Sequence, residues 1–221
     1  MKRVLLRTLG LAAIGAMLGG LLGYMEVSTM ETKTIKTLNP EIVAAETENA
    51  PAETKPITSI GGEFELVSED GKTVTNQDFA DKNKLVFFGF TNCPDVCPAA
   101  LEKVGDVMEG LGEDANSLVP IFVTVDPDRD TTVALAEYTD QFDPRIVGLG
   151  GNQEQIDAVV DAFKVYAAKD METAVQTDEG EQYMMLHSAF FYVMNPENEL
   201  LKVLKSEEPV DELVAGIKSV L

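Results

Sequence analysis

The stretch KLVFFGFTNCPDVCPAALEKVGDVMEGLG, residues 84–112, determines how the rest of the chain is interpreted. Its first seven residues form an almost continuous apolar run, which is typical of a strand buried in the middle of a sheet. Over residues 98–111 the apolar side chains recur at helical spacing, and Gly112 provides a stop signal. The sequence therefore predicts a strand and a helix, joined by a short segment that holds both cysteines of the chain.

The alternation of strands and helices continues beyond this unit. The other predicted elements are a hairpin of residues 64–67 and 72–75, strands at 118–125 and 146–149, helices at 131–142 and 153–169, a polar loop or insertion at 171–182, a second hairpin of 188–194 and 199–205, and a closing helix at 209–221. Strands that alternate with helices indicate a parallel sheet with right-handed crossovers, to which the late hairpin adds antiparallel strands. The predicted fold class is α/β, a three-layer α/β/α sandwich.

The composition of the 221 residues excludes several classes of protein. Lys and Arg number 17 against 38 Asp and Glu, a net charge of −21, which excludes a nucleic-acid partner bound through its phosphates. Two cysteines and one histidine are too few for a disulfide framework, a four-cysteine metal site or a three-histidine zinc site. What remains is one globular domain whose chemistry depends on very few special residues.

The N-terminus resembles a membrane segment. Lys2, Arg3 and Arg7 precede an uncharged stretch over residues 8–25, which as a helix would span about 27 Å, close to the thickness of a bilayer core. A cleaved signal peptide has a similar pattern, but no clean cleavage site follows, so an uncleaved N-terminal transmembrane helix is preferred. The basic start would remain in the cytoplasm, and the rest of the chain would be exported.

Three segments are therefore expected: a membrane anchor over residues 1–25, a flexible acidic tether over 26–59 and a folded domain over 60–221. The tether is rich in Thr, Glu and Pro and poor in large apolar residues. Without the three basic residues of the anchor, the exported part carries a charge of −24. The predicted location is the inner (cytoplasmic) membrane, crossed once, with the C-terminal domain on the periplasmic side.

The two cysteines, Cys93 and Cys97, lie between the first buried strand and the following helix. The positive end of a helix dipole and free backbone N–H groups favour a thiolate at such a junction. At a spacing of four in helical geometry, the two Cα atoms would be roughly 6 Å apart, which allows either a disulfide or a shared metal ion. Two inert core cysteines are the alternative, but ligands bind at this end of the strands in open α/β sheets.

The single histidine, His187, is predicted at the entrance to the strand of residues 188–194. A lone histidine beside an apolar stretch is often a core or edge residue. Here, however, two thiolates and one imidazole would complete a three-coordinate site for a soft ion, above all Cu(I). Cu(II) could bind with a further donor, whereas zinc normally requires a fourth ligand. Copper is therefore the predicted ion.

Three blocks of sequence together resemble the Sco/SenC/PrrC family of copper-binding, thioredoxin-like proteins. They are FFGFTNCPDVCPAAL, then VTVDPDRDTTVALAEYTDQF with IVGLGG, and finally a histidine before SAFFYVMNP. The resemblance implies a thioredoxin-like fold in which Cys93, Cys97 and His187 bind copper. It also implies a role in assembling the CuA centre of cytochrome c oxidase, with a CuA-bearing subunit or another copper chaperone as the partner.

The same resemblance suggests roles for two neighbouring residues. Asp126 is similar to an acidic residue near the copper site, which stabilises or relays rather than ligates. Leu186 departs from the family pattern, in which an Asp usually precedes the histidine. A hydrogen bond that would orient the imidazole is therefore missing here or supplied elsewhere, which affects copper affinity more than copper binding itself.

Three functions remain open at the level of sequence. The first is a copper metallochaperone, and the second is a thiol–disulfide oxidoreductase that uses Cys93 and Cys97 as its catalytic redox pair, with a disulfide as the oxidised form. A peroxidase of the peroxiredoxin type ranks last, because two cysteines four apart and a distant histidine suit a metal better than a peroxide. Whether the protein is an enzyme is thus left open. A dimer is compatible with the sequence, but nothing in it indicates one.

Overall fold

The computed structural model describes residues 59–178 and 180–221, which form nine strands and four α-helices. The strands are β1 Glu65–Ser68, β2 Thr73–Thr75, β3 Asn83–Gly89, β4 Leu118–Thr124, β5 Val147–Gly150, β6 Ala167–Thr177, β7 Gly180–His187, β8 Phe190–Met194 and β9 Leu200–Lys205. The helices are α1 Val96–Leu111, α2 Thr132–Thr139, α3 Gln153–Phe163 and α4 Val210–Lys218. The predicted anchor and all but the last residue of the predicted tether lie outside these residues.

Seven of the strands form one sheet in the order β2-β1-β5-β4-β3-β8-β9. β3, β4 and β5 run parallel, and the hairpins at both sides add antiparallel strands. Helices cover both faces: Tyr138 of α2 packs on Phe122, and Phe163 of α3 packs on Phe88 of the opposite face. These layers confirm the predicted three-layer α/β sandwich. Within the described residues, no helix combines the length and apolar character needed to cross a bilayer.

The central strand β3 is buried from Lys84 to Gly89 because β4 and β8 flank it and helices cover both of its faces. This confirms the prediction from its apolar sequence. The surprise is Lys84, which has no exposed surface and whose Nζ donates a hydrogen bond of 3.1 Å to the carbonyl of Pro196. A buried amine is not expected from the apolar pattern, although Lys84 is the first residue of the stretch from which the strand was predicted.

Two predictions about the region before the histidine are wrong. The helix predicted over residues 153–169 ends at Phe163, because Lys164 adopts a left-handed conformation (φ 56°) and its N–H bonds to the carbonyls of Asp161 and Val160. The polar loop predicted over 171–182 is instead most of a two-stranded antiparallel sheet, β6 and β7, here called the ribbon. The ribbon is separate from the main sheet, and His187 is its last residue rather than the entrance to β8.

Candidate metal centre

The two cysteines lie where the sequence predicted them, at the junction of β3 and α1. Cys93 is in the loop after β3 and is half-buried, whereas Cys97 is the second residue of α1 and is fully buried. Gly89 makes room for the buried thiol, since a Cβ there would lie 2.8 Å from Cys97 Sγ and 2.8 Å from Phe122 Cε2. The last residue of β3 must therefore be small for the thiol pair to occupy this position.

The ribbon brings His187 to the cysteines across 90 residues of sequence. Its Nε2 lies 3.4 Å from Cys97 Sγ, and its Nδ1 lies 3.1 Å from the carbonyl oxygen of Ser188. Because a carbonyl only accepts hydrogen bonds, Nδ1 carries the proton, which leaves the Nε2 lone pair directed at the thiols. One ligand atom from each of Cys93, Cys97 and His187 lies within 4.8 Å of the others.

Two aromatic rings pack against the imidazole of His187. The rings of Phe87 and Phe90 meet that of His187 edge to face, at centroid distances of 6.3 and 5.8 Å. Both phenylalanines are buried residues on or directly after β3. The imidazole is therefore in contact with two apolar rings and with the Cys97 sulfur.

The two thiols differ strongly in acidity. Hydrogen bonding from Cys97, with smaller contributions from the backbone N–H groups of Asp95 and Cys97, lowers the pKa of Cys93 to about 4. The Cys97 N–H, 3.3 Å from Cys93 Sγ, is one of these helix N-terminal donors. The shared interaction with Cys93, together with burial, raises the pKa of Cys97. The pair therefore carries a single negative charge, on the more accessible sulfur.

A buried carboxylate braces the loop that leads to Cys93. Asp130 accepts hydrogen bonds from Thr91 N (3.0 Å), Thr91 Oγ1 (2.6 Å) and Thr124 Oγ1 (2.5 Å). Burial raises the pKa of Asp130. Thr131, the next residue, caps α2 by accepting from Ala134 N, whereas Asp130 ties the ends of β3 and β4 together.

Asp126 does not bond to the ligands but to the strand that carries one of them. Its carboxylate accepts from the hydroxyl of Tyr183 (2.7 Å) and from Nε of Arg129 (2.5 Å), and it is buried. Tyr183 belongs to β7, four residues before His187. The sequence did not single out Tyr183, because the strand that it shares with His187 was not predicted.

Leu186 lies on the other side of β7 from the metal cluster. Its neighbours in sequence, Met185 and His187, face the protein, so the alternation of strand residues turns Leu186 outwards, where 49% of it is exposed. A side chain at this position cannot orient the imidazole from the inside. The bond between Nδ1 and the Ser188 carbonyl supplies the orientation instead.

This arrangement defines a class of protein: a thioredoxin-like α/β domain with two thiols and an imidazole gathered at the end of its central strand. Residues 52–221 match the family model SCO1/SenC. The chain is 39% identical over 160 residues to the SCO2-like protein of Rickettsia conorii, with 72% of this chain and 76% of that protein covered. This chain therefore belongs to the SCO1/SenC family.

Solved structures agree with this assignment. The crystal structure of Arabidopsis thaliana ScoI with copper bound is 35% identical, with a TM-score of 0.65 and coverage of 73% of this chain and 97% of that one. The structure of Bradyrhizobium japonicum ScoI with copper bound is 37% identical, with a TM-score of 0.64 and coverage of 74% and 100%. Both relatives share the thioredoxin-like fold, and the predicted family resemblance is confirmed.

Proposed function

We propose that this protein is a copper metallochaperone that binds one copper ion through Cys93 Sγ, Cys97 Sγ and His187 Nε2. The observation that carries the proposal is the convergence of these three donor atoms within 4.8 Å, with the Nε2 lone pair free. Two sulfurs and one imidazole are the donor set that Cu(I) prefers, and three ligands satisfy it. Cu(II) would need a further donor. Asp126 positions His187 indirectly, through its hydrogen bonds to Tyr183 and Arg129.

In this proposal the bound copper ion is delivered to the CuA centre of cytochrome c oxidase, directly or through another copper chaperone. What supports this step is membership of the SCO1/SenC family and the copper-bound relatives. Delivery also requires a site that can open, and Cys93 is half-buried, so an acceptor can reach one ligand from outside. The domain division at residues 25 and 59, the single membrane-spanning helix and the periplasmic location belong to the same proposal.

Copper titration of the reduced protein tests the ligand set. We expect one copper per chain in the wild type and loss of tight binding in Cys93→Ala and His187→Ala. Glu181→Ala is the matched control, because Glu181 is an exposed residue of the same strand as His187. Unchanged stoichiometry and affinity in His187→Ala would refute the three-ligand site. A mature N-terminus beyond residue 25 would refute the uncleaved anchor.

A second function, thiol–disulfide exchange, is favoured by the unequal thiols. The Cys93 thiolate would attack a partner disulfide and release one partner thiolate. Cys97 would then lose its proton, attack Cys93 and release the second, so that the pair is oxidised by two electrons and the partner disulfide is reduced. Here we expect reduction of a protein disulfide to survive His187→Ala and to stop in Cys97→Ala. Loss of turnover in both variants would argue against exchange independent of the histidine.

A further inference from the structure

Several exposed apolar side chains lie on the ribbon or next to the metal cluster. Nine large apolar residues in the described part of the chain are more than a third exposed. Five of them lie next to Cys97, directly before the ribbon or on it: Val96, Tyr166, Met171, Val175 and Leu186. A single exposed apolar residue is ordinary, but a cluster next to a functional site indicates a surface that another molecule covers.

The ribbon has two faces of different character. Tyr183 and Met185 face inwards, are buried, and share their side of β7 with His187. Met184 and Leu186 point the other way, opposite Asp170 and Ala168 of β6. Residues directly opposite each other in an antiparallel pair share a face.

Tyr166 extends this outward side by one position, because its N–H and carbonyl bond to Ser188, the residue after His187. We call the set Tyr166, Ala168 and Leu186 the outer face. It is the apolar end of the outward side of the ribbon, on the opposite side of β7 from the imidazole, and the next pair on this side is Asp170 and the half-buried Met184. Tyr166 is 61% exposed and Leu186 49% exposed, so these two side chains are largely uncovered within the described residues.

Charge distinguishes the two ends of the ribbon. Residues 167–187 contain one basic residue, Lys169, and five acidic ones, Asp170, Glu172, Asp178, Glu179 and Glu181. Lys169 is not available to the outer face, because its Nζ lies 2.7 Å from Asp128 and 4.6 Å from the centre of the Tyr183 ring. The outward side of the ribbon is therefore apolar near His187 and leads towards the turn between β6 and β7, here called the acidic turn after Asp178 and Glu181.

We propose that the outer face is the docking surface for a basic copper-acceptor protein. An apolar patch beside the acceptor's metal site would cover Tyr166 and Leu186, and basic side chains around it would face the acidic turn. The proposal rests on the proposed function and adds how the acceptor is held while ligands exchange. Since neighbouring strand residues are about 3.3 Å apart, a partner that covers Leu186 lies at the backbone of His187.

The charge of the chain argues against two other occupants. A second copy would bring two acidic ribbons together, and the protein carries a net charge of −21. A bilayer with anionic lipids would repel the same surface. A basic protein is the occupant that both the apolar and the acidic part of the ribbon favour.

The binding experiment uses the fragment 57–221 and, as the probe, the copper-free soluble domain of a CuA-bearing oxidase subunit chosen for basic residues around its metal site. The fragment is expected to fold alone, because 74% of this chain matches the whole solved chain of the Bradyrhizobium japonicum protein. Tyr166→Glu and Leu186→Glu test the surface, and Val203→Glu on β9, where Val203 is 40% exposed, is the matched control. Titration of the isotopically labelled fragment by NMR reports both affinity and the residues contacted.

We expect about a tenfold or greater rise in the dissociation constant for each ribbon variant, and little change for Val203→Glu. The wild-type affinity should fall as salt is raised, because salt screens the acidic turn. Copper stoichiometry of each variant checks that the metal cluster still forms. No binding by the wild type, or equal weakening by all three variants, would overturn the docking surface.

Two further outcomes assign the outer face to another occupant and also overturn the proposal. One is a dimer of the fragment in sedimentation experiments that Leu186→Glu dissociates. The other is co-sedimentation of the fragment with phosphatidylglycerol vesicles, abolished by the same substitution.

Copper transfer, followed separately, distinguishes the docking surface from the proposed function. If the probe binds the outer face but takes no copper, the delivery function fails and the docking surface stands. If copper moves at the same second-order rate from wild type, Tyr166→Glu and Leu186→Glu, delivery stands and the docking surface fails.

Discussion

The guanidinium carbon of Arg129 lies 3.7 Å from the centre of the Tyr183 ring, and its Nη1 donates a hydrogen bond of 2.8 Å to the carbonyl of the same tyrosine. Asp126 completes the contact by bonding to both side chains. Arg129 belongs to the turn after β4, whereas Tyr183 belongs to the ribbon. The turn thus holds the strand that carries His187 through stacking, backbone and carboxylate contacts at once.

Arg129 also reaches the histidine by a second route. Its guanidinium carbon lies 5.9 Å from the centre of the Phe90 ring, and Phe90 meets the His187 ring edge to face. Arg129 therefore lies between the ring of Tyr183, which belongs to the ribbon, and the ring of Phe90, which borders the imidazole. Removing it should loosen both supports of the same ligand.

We expect Arg129→Gln to weaken copper binding by about 10- to 100-fold, the usual effect of removing a group that orients a metal ligand. Glutamine keeps a polar side chain but loses the charge, the forked hydrogen bonds and the stacking. The affinity is measured by competition with a colorimetric Cu(I) chelator. In metal-free protein the same substitution should weaken the nuclear Overhauser contact between the rings of His187 and Phe90, which the single histidine of the chain makes easy to assign.

The matched experiment repeats Arg129→Gln in a His187→Ala background. If the arginine acts through the histidine, it has little further effect on copper affinity once the imidazole is gone. An equal loss of affinity in both backgrounds would instead mean that Arg129→Gln damages the domain in general.

Alkylation of the reduced, metal-free protein tests the acidity of Cys93. With its pKa lowered to about 4, Cys93 is a thiolate throughout the neutral range, so its reaction with iodoacetamide should stay constant as the pH falls from 8 and halve only near pH 4. Cys97 should not react, because it is buried and its pKa is raised. The sites of modification are read by mass spectrometry.

Cys97→Ala provides the control for the same measurement. The hydrogen bond from Cys97 is the largest cause of the lowered Cys93 pKa, so its removal should move the midpoint of the alkylation profile upwards towards that of an ordinary thiol. A profile that keeps its midpoint near pH 4 in the variant would show that the N–H groups of the helix N-terminus suffice.

Gly89→Ala should displace the buried thiol. Its Cβ would lie 2.8 Å from both Cys97 Sγ and Phe122 Cε2, and neither atom is the end of a long flexible chain. We expect a loss of about 1–3 kcal/mol in the free energy of unfolding, as for other overpacked core positions, together with weaker copper binding. Gly105→Ala in α1 is the control, because its Cβ would meet its nearest atom at an ordinary contact distance of 3.7 Å. Gly71→Ala is unsuitable because Gly71 has a φ of 79°. An unchanged copper affinity in Gly89→Ala would show that Cys97 can shift without disturbing the ligands.

The strand, loop and helix around the cysteines could be predicted from the sequence because their determinants are local. The apolar run of β3 and the helical spacing of α1 lie within 30 residues, and both cysteines are fixed by this unit. The convergence of His187 on Cys97 was expected from donor chemistry and the family resemblance rather than from any local pattern. The contact joins residues 90 positions apart.

The ribbon could not be predicted because its pattern is that of an exposed strand pair. Most of β6 is solvent-exposed and polar, so it lacks the apolar alternation that indicates a half-buried strand. What holds it is pairing with β7 and the contacts of Tyr183 and Lys169 with the turn at Asp126 and Asp128. Likewise, α3 ends where Lys164 adopts a left-handed conformation. Such an end is usually marked by a glycine, and this sequence has none there.

Lys84 provides a test of the core that is independent of the metal centre. Burial lowers the pKa of this lysine, whose Nζ donates a hydrogen bond to the Pro196 carbonyl, although Glu197 nearby favours the charged form. A lysine whose pKa is lower in the folded than in the unfolded chain releases its proton first in the folded chain. Between the two pKa values the unfolded chain binds more protons, so this residue makes the free energy of unfolding rise with pH, by at most about 1.4 kcal/mol per pH unit.

Lys84→Met removes this contribution while retaining a long, flexible side chain. The free energy of unfolding of the variant minus that of the wild type should therefore fall as the pH is raised from 7 to 10, as measured by urea denaturation at each pH. Taking the difference cancels the ionisation of other groups, such as Tyr192, whose pKa is raised by burial. Lys205→Met, which removes an exposed lysine on β9, is the control and should show a flatter difference. A difference for Lys84→Met that rises with pH would mean that the buried ammonium is stabilised in the folded chain, contrary to the effect of burial.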